Sequence, residues 1–184
     1  MLFRSVETLV LNTGQLAFSS SLAGTAVAAG GVTVNGTDLA DTLDGTGAGV
    51  ALVLNAGGGN DVLLGSALDD ALDGGSGSDT MTGGAGNDTY FVDNTGDKIV
   101  ESASGGIDTV RTTLASYSLG TGLENLVYTG ASAFTGNGNS AANTIVGGSG
   151  ADKLDGKGGT DILDRKSTRL NFSHVSESRM PSSA

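Results

Sequence analysis

Residues 56–91 read AGGGNDVLL, GSALDDALD, GGSGSDTMT, GGAGNDTYF, and this stretch decides the fold. Set as four lines of nine, Asp61, Asp70, Asp79 and Asp88 fall in one column. Two columns on, Leu63, Leu72, Met81 and Tyr90 form an apolar file, while glycines crowd the first four columns. The form is G-G-x-G-x-D-x-U-x, with U large and apolar. Glycine tolerates positive φ, so Gly83, Gly84 and Gly86 permit a tight turn that other residues would strain. The D-T-Y-F or D-V-L-L that follows alternates with the period of a strand. One strand this short buries little alone; stacking successive repeats brings the apolar files together in a thin shared core. A flexible Gly/Ser/Asp linker would not hold Asp and a large apolar residue in fixed columns over four lines.

These nonapeptides resemble the repeats-in-toxin (RTX) family, the haemolysin-type calcium-binding repeat proteins. The resemblance implies an all-β fold: a right-handed parallel β-roll, or β-helix, with intervening β spacer and bound Ca2+. With two nonapeptides per coil, residues eighteen apart lie above one another, placing Asp61 with Asp79 and Asp70 with Asp88 on opposite edges. Bare carboxylates at strand spacing, about 4.8 Å, would repel. Calcium removes the conflict, because it is a hard cation taking about six to eight oxygens, which turn carbonyls and stacked Asp side chains can supply. The chain has no cysteine, and its single histidine is His174, so zinc, copper and iron sites are not expected.

The candidate metal turns are therefore Gly57, Gly59 and Asp61; Asp70; Gly74, Gly75, Gly77 and Asp79; and Gly83, Gly84, Gly86 and Asp88. Asp41 precedes them, and Gly147, Gly148, Gly150, Asp152 and Asp161 follow in a second block. Leu68 stands where its loop wants glycine, so Asp61 with Asp79 is the strongest pair and Asp70 with Asp88 the second.

Outward from this block the chain divides into a β spacer (1–34), a first roll (35–91), a second spacer (92–135), a truncated second roll (136–164) and a tail (165–184). The line GTDLADTLD from Gly36 puts Asp41 in the metal column and Leu43 in the core column. GTGAGVALV puts Val50 where Asp belongs, which predicts an empty site with the coil continuing through Leu52; two extra residues follow before Ala56. The ending Asp88-Thr89-Tyr90-Phe91-Val92-Asp93 is similar to the D-x-Y-x-V-D that precedes a spacer in bacterial RTX proteins. Asp97 and Asp108 lack the glycine loop and read as surface strand residues, not ligands. An internal echo, Val6-Glu7-Thr8-Leu9-Val10 against Leu123-Glu124-Asn125-Leu126-Val127, points to a duplicated unit of spacer plus roll. In the second roll the metal column is Asn143, Asp152 and Asp161 and the core column Ile145, Leu154 and Leu163; the neutral Asn143 weakens its site.

Thirty-two glycines and 4% aromatic residues exclude a conventional globular core. A net charge of −11 and a pI near 4.1 exclude nucleic-acid binding through phosphates and favour cations as partners. No apolar run has the length of a transmembrane helix. Leu16–Ala29 is small and apolar, and Ala26-Val27-Ala28 is similar to a signal cleavage site. Glu7, Ser19–Ser21 and Gly24 dilute that pattern, and Met1 reads as an internal position of a longer chain. From Arg165 the composition turns basic, with four Lys/Arg against one Glu, and holds the sole His and Pro. DRKSTRLNFSHVSESRMPSSA resembles a translated sequencing-library adapter with Phe172 in place of a serine, so no function is assigned to His174.

Other motifs carry less. Gly136–Ala141 fits G-x-G-x-x-A, but a β-repeat follows it instead of a helix. The sequons at Asn35 and Asn87 lie inside repeat loops, and Asp69 with Asp70 lacks the cleft of a glycosidase. The resulting expectation is a calcium-binding module, non-catalytic by itself, that folds on calcium after secretion to the extracellular space. Type I secretion machinery and cell-surface polysaccharide are the further partners considered. The alternatives are a C-terminal accessory part of a secreted metalloprotease, lipase or polysaccharide epimerase, or a unit of a bacterial adhesin or surface-layer protein.

Overall fold

A computed structural model describes residues 8–10, 15–17, 31–102 and 104–165. The apolar run of 18–29, the tail from 166 and His174 lie outside the described residues. The short alternating segments form seventeen strands, and no helix occurs among the described residues. They stack into a parallel β-roll of about seven turns. One sheet runs the length of the roll: β1 (Thr8–Val10), β3 (Val32–Asn35), β5 (Leu52–Asn55), β7 (Ala71–Asp73), β9 (Thr89–Val92), β11 (Thr109–Thr112), β13 (Asn125–Tyr128), β15 (Thr144–Val146) and β17 (Ile162–Asp164). Facing it are β2 (Gln15–Ala17), β4 (Thr42–Asp44), β6 (Val62–Leu64), β8 (Thr80–Thr82) and β10 (Lys98–Ile99). A third sheet holds β12 (Ser116–Ser118), β14 (Thr135–Asn137) and β16 (Lys153–Asp155). Each coil returns the chain in the same direction, so every strand pair is parallel.

The apolar files become columns. In the long sheet Val34, Leu54, Leu72, Tyr90, Val110, Leu126 and Ile145 stack in register, each with no exposed surface. Leu43, Leu63 and Met81 do the same on the facing sheet. Burial of each such side chain is worth roughly 1.5–3 kcal/mol, and no coil could collect it alone. At the second spacer the core is aromatic: Tyr128 and Phe134 stack with ring centroids 4.5 Å apart and planes 2° from parallel.

The frame between the first two coils differs from expectation. Leu52, not Val50, occupies the Asp position, and Leu54 takes the core column between Val34 and Leu72. The two extra residues belong to the turn before Leu52, where Ala48 donates its N–H to Gly45 O (2.9 Å) and is buried. A slip of two residues leaves every strand side chain on its original face. Alternation in the sequence therefore cannot tell the two frames apart, whereas cross-coil pairing can.

Candidate metal centre

The Asp columns become hydrogen-bonded ladders along the edges of the roll. On one edge Asp41 N–H donates to Asp61 Oδ1 (2.7 Å), Asp61 N–H to Asp79 Oδ1 (2.8 Å) and Asp79 N–H to Asp97 Oδ1 (3.1 Å). On the other, Leu52 N–H donates to Asp70 Oδ1 (2.6 Å), Asp70 N–H to Asp88 Oδ1 (2.8 Å) and Asp88 N–H to Asp108 Oδ1 (2.8 Å). Asp108 N–H continues to Glu124 Oε2 (2.9 Å). In the later coils Phe134 N–H donates to Asp152 Oδ1 and Asn143 N–H to Asp161 Oδ1, both at 2.9 Å. The stacking of Asp61 with Asp79 and of Asp70 with Asp88 is thus present, and each carboxylate holds the backbone of the coil before it.

Asp97 and Asp108 are corrections. They are rungs of the ladders, not surface strand residues: Asp108 is fully buried and Asp97 half-buried. Coils of 18 and 20 residues bring them under Asp79 and Asp88, although no nonapeptide precedes them. Asp97 keeps the nine-residue interval after Asp88, so spacing reports its place although its loop lacks the glycines; Asp108 closes a coil of 20 residues, and spacing does not report its place.

Two kinds of turn hold these carboxylates. In the first, the turn caps its own side chain. Thr37 N–H donates to Asp41 Oδ2 (2.6 Å), Ser66 N–H to Asp70 Oδ2 (2.5 Å) and Asn139 N–H to Asn143 Oδ1 (2.8 Å). The capping residue's own side-chain oxygen then accepts an N–H two residues on, from Leu39, Leu68 and Ala141 respectively. These are local side-chain turns of the Asx and ST type. Leu68 fits this turn, which explains how a loop without the expected glycine still closes.

In the second kind no N–H of the turn reaches its own carboxylate, and one carboxylate oxygen has no donor; glycine stands at the cap position of Asp61, Asp79, Asp88 and Asp152, and Ser104 at that of Asp108. Asp61 Oδ2, Asp79 Oδ2, Asp88 Oδ2, Asp108 Oδ2 and Asp152 Oδ2 are buried and accept no hydrogen bond, as does Asp41 Oδ1. Gly74, Gly83, Gly147 and Gly156 lie directly under the carboxylates of Asp79, Asp88, Asp152 and Asp161, in space that a Cβ would fill. Gly57, Gly59, Gly75, Gly77, Gly84 and Gly86 all have positive φ. Gly77 shows why: its φ is +144°, and a Cβ there would collide with the carbonyl oxygen of Gly59 in the turn below. Gly148 and Gly150 likewise lie against Gly130 O and Ser132 O. Carbonyls of one turn thus abut the next, joined by Ser76 N–H to Gly57 O (2.9 Å) and Gly59 N–H to Ser76 O (3.0 Å).

A second ladder was not anticipated. Ser78 N–H donates to Asn60 Oδ1 (2.9 Å), Asn87 N–H to Asp69 Oδ1 (2.7 Å) and Ile107 N–H to Asn87 Oδ1 (2.8 Å). The residue before the metal-column Asp, treated as free in the motif, ties each turn to the one above. The recurring Asn-Asp pair at Asn60-Asp61 and Asn87-Asp88 was the available signal.

The electrostatics follow from burial. Desolvation raises the carboxyl pKa of Asp61, Asp70 and Asp79 above the usual range, opposed by the backbone N–H each accepts. Burial pushes Asp88 up to about 7 and Asp108 up to about 6, with Asp70, Glu101 and Glu124 among the neighbouring acids that add to it. Burial and the Glu101 carboxylate, which accepts its hydroxyl proton, also raise Tyr90. Tyr90 Oη in turn accepts Gly83 N–H (2.7 Å), tying the core column to the turn.

Buried, unpartnered, negatively charged oxygens need a proton or a cation. The donors available are carboxylate and carbonyl oxygens only, the set that suits calcium. No three Asp, Glu, His or Cys side chains among the described residues converge on one point. A cation on these edges would therefore be held chiefly by backbone carbonyls, with one or two carboxylates. The oxygen-lined turns fit Ca2+ in that way, and glycine is what lets the carbonyls approach.

Ser66→Ala tests the self-capped class. It removes the Oγ contacts to Asp70 Oδ1 (3.2 Å) and Leu68 N–H (3.1 Å) and should cost about 0.5–2 kcal/mol. The expected loss, read from denaturation midpoints, is the same at calcium just sufficient for folding and at saturating calcium. A loss that vanishes at saturating calcium would mean that a cation, not the hydroxyl, closes this turn.

A parallel β-roll whose edges are ladders of buried carboxylates over glycine turns defines a class, the calcium-binding repeat modules. The family described as RTX calcium-binding nonapeptide repeat matches the chain in four copies, over residues 55–90, 64–97 and 136–165. The chain thus carries RTX calcium-binding repeats over those residues, and the repeats make Ca2+ its cofactor. No curated protein and no solved structure matches it.

Proposed function

We propose that this chain is a non-catalytic module whose folding is switched by calcium once the protein has left the cell. The observation that carries the reading is the set of buried Asp oxygens without donors, on Asp61, Asp79 and Asp88 above all. The ligands would be those oxygens with the carbonyls of turns 57–61, 74–79 and 83–88, and, in the second roll, the turns ending at Asp152 and Asp161. Asp41 and Asp70, partly capped by their own turns, would contribute less. At low calcium the chain, with a net charge of −11, repels itself, and its buried carboxylates oppose coiling. A ligand that binds only the folded state stabilises it in proportion to its concentration, and extracellular calcium modules work at about 10⁻⁴–10⁻³ M. Folding would then follow export, for which type I secretion is the route suggested by the resemblance. No helix among the described residues is long and apolar enough to cross a membrane.

The test is a calcium titration followed by far-ultraviolet circular dichroism. Strand signal should appear cooperatively near millimolar calcium and not with equal magnesium, which demands near-octahedral geometry and dehydrates reluctantly. Full strand signal in chelator at neutral pH, or an equal response to magnesium, overturns the reading.

One observation favours a role as a repeated unit of an adhesin or surface-layer array. The echoed segments form β1 and β13, and Leu9 and Leu126 occupy equivalent places in the long sheet, paired with Val34 and Ile145. Spacer and roll would then alternate along one continuous solenoid, in the proposed order 1–34, 35–91, 92–135 and 136–164. Cell-surface polysaccharide is the partner such an array would meet.

A further inference from the structure

We propose that the spacer carries a calcium site of its own, between the turn ending at Asp88 and the turn ending at Asp108, with Asp108 Oδ2 as a ligand. It rests on the calcium reading above but Asp108 lies outside the nonapeptides, since the sequence before it is Ser104-Gly105-Gly106-Ile107 and the repeat match breaks off at residue 97 and resumes at 136.

The geometry repeats four contacts of the glycine turns 57–61 and 74–79 and departs in one: Ser76 N–H donates across to Gly57 O (2.9 Å), whereas Gly105 N–H donates to Ser102 O (3.0 Å) in its own turn. In turns 57–61 and 74–79, Gly59 N–H donates to Ser76 O (3.0 Å), Gly59 O abuts Gly77 where a Cβ would stand, and Ser78 N–H donates to Asn60 Oδ1 (2.9 Å). Here, Gly86 N–H donates to Gly105 O (2.9 Å), Gly86 O abuts Gly106 in the same way, and Ile107 N–H donates to Asn87 Oδ1 (2.8 Å). The Asp rung matches too, with Asp88 N–H on Asp108 Oδ1 at 2.8 Å against Asp61 N–H on Asp79 Oδ1 at 2.8 Å. The two junctions thus share the inter-turn carbonyl contact, the Asn rung and the Asp rung, although the second closes a coil of 20 residues and the first a coil of 18.

Although Ser104 stands where the uncapped turns have glycine, Asp108 also has their mark. It is fully buried, and its Oδ2 accepts no hydrogen bond, whereas Asp70 and Asn143 are capped by an N–H of their own turns. Asp88 Oδ2, on the other side of the junction, is also buried and unpartnered. The charged groups that act on Asp108 are Glu101, Glu124 and Asp69, all acidic. A divalent cation at this junction would satisfy the orphaned Asp108 oxygen and the surplus charge together, and an uncharged donor could do only the first.

The experiment counts calcium ions bound per chain by equilibrium dialysis and titration calorimetry on the full chain. Asp108→Asn should bind one ion fewer than the unchanged protein while keeping its strand signal at saturating calcium. Asp155→Asn removes the same charge from an exposed carboxylate paired with Lys157, 2.8 Å away, and should bind the full number. An unchanged count in Asp108→Asn overturns the inference and leaves the nonapeptide sites standing. If that variant does not fold, a structure of the unchanged protein with calcium decides: an ion at about 2.3–2.6 Å from Asp108 Oδ2 supports the site, and ions only among the nonapeptide turns overturn it. No calcium bound by the unchanged protein would overturn this inference and the calcium reading together.

Discussion

Stripped of calcium, the protein should gain strand structure as the pH falls from about 7.5 to about 4, the reverse of ordinary acid denaturation. Asp88 is raised to about 7 and Asp108 to about 6 by burial among other acids, while an unfolded Asp titrates near 3.9. Between about 4 and 7, therefore, the folded roll holds protons that the unfolded chain has released. Stability then falls with rising pH: the contribution of these groups is fully present below about 4 and is lost as the pH passes their folded values. Asp61, Asp70 and Asp79 are shifted in the same direction and add to the trend. Calcium reverses it, because the cation competes with those protons and binds more tightly as they leave. Urea midpoints at several pH values, with chelator and with millimolar calcium, check both halves. A chelated protein equally stable or more stable at pH 7.5 than at pH 4.5 would refute the account of why the roll needs a cation.

Gly77→Ala should abolish calcium-driven folding of the coils around residues 57–82, the largest effect expected of any single methyl. The substitution strains a backbone at φ +144° and drives a Cβ into the Gly59 carbonyl, an oxygen among the proposed calcium ligands. Left-handed strain alone costs on the order of 1–3 kcal/mol, and a clash with fixed backbone adds to it. The midpoint of the calcium titration should move up by tenfold or more. Ser76→Ala, one residue away and exposed, should leave it in place. Normal folding of Gly77→Ala at millimolar calcium would show that the turns need not approach so closely.

Both predictions depend on the contact between turns in successive coils. That contact explains why some of the molecule is legible in one dimension and some is not. Asp61, Asp70, Asp79 and Asp88 repeat at a constant interval, so their stacking can be read directly. The same holds for Leu63, Leu72, Met81 and Tyr90, and for the glycines that free the backbone between them. Coils of irregular length break the count. Asp108 follows Asp88 by 20 residues and Glu124 follows Asp108 by 16, yet each donates or accepts in the same ladder.

The sequence by itself determined the parallel roll, its apolar columns and its demand for a hard cation, because a nine-residue period writes turn, ligand and core into adjacent positions. Tertiary structure alone decided three things. It placed Leu52 in the Asp column, since a two-residue slip preserves every side chain's face. It divided the turns into self-capped and open, since an N–H from Ser66 or Thr37 reaches the carboxylate only once the chain has bent. It brought Asp108 under Asp88, since hydrogen bonds between coils, and not spacing along the chain, set which carboxylate completes an edge.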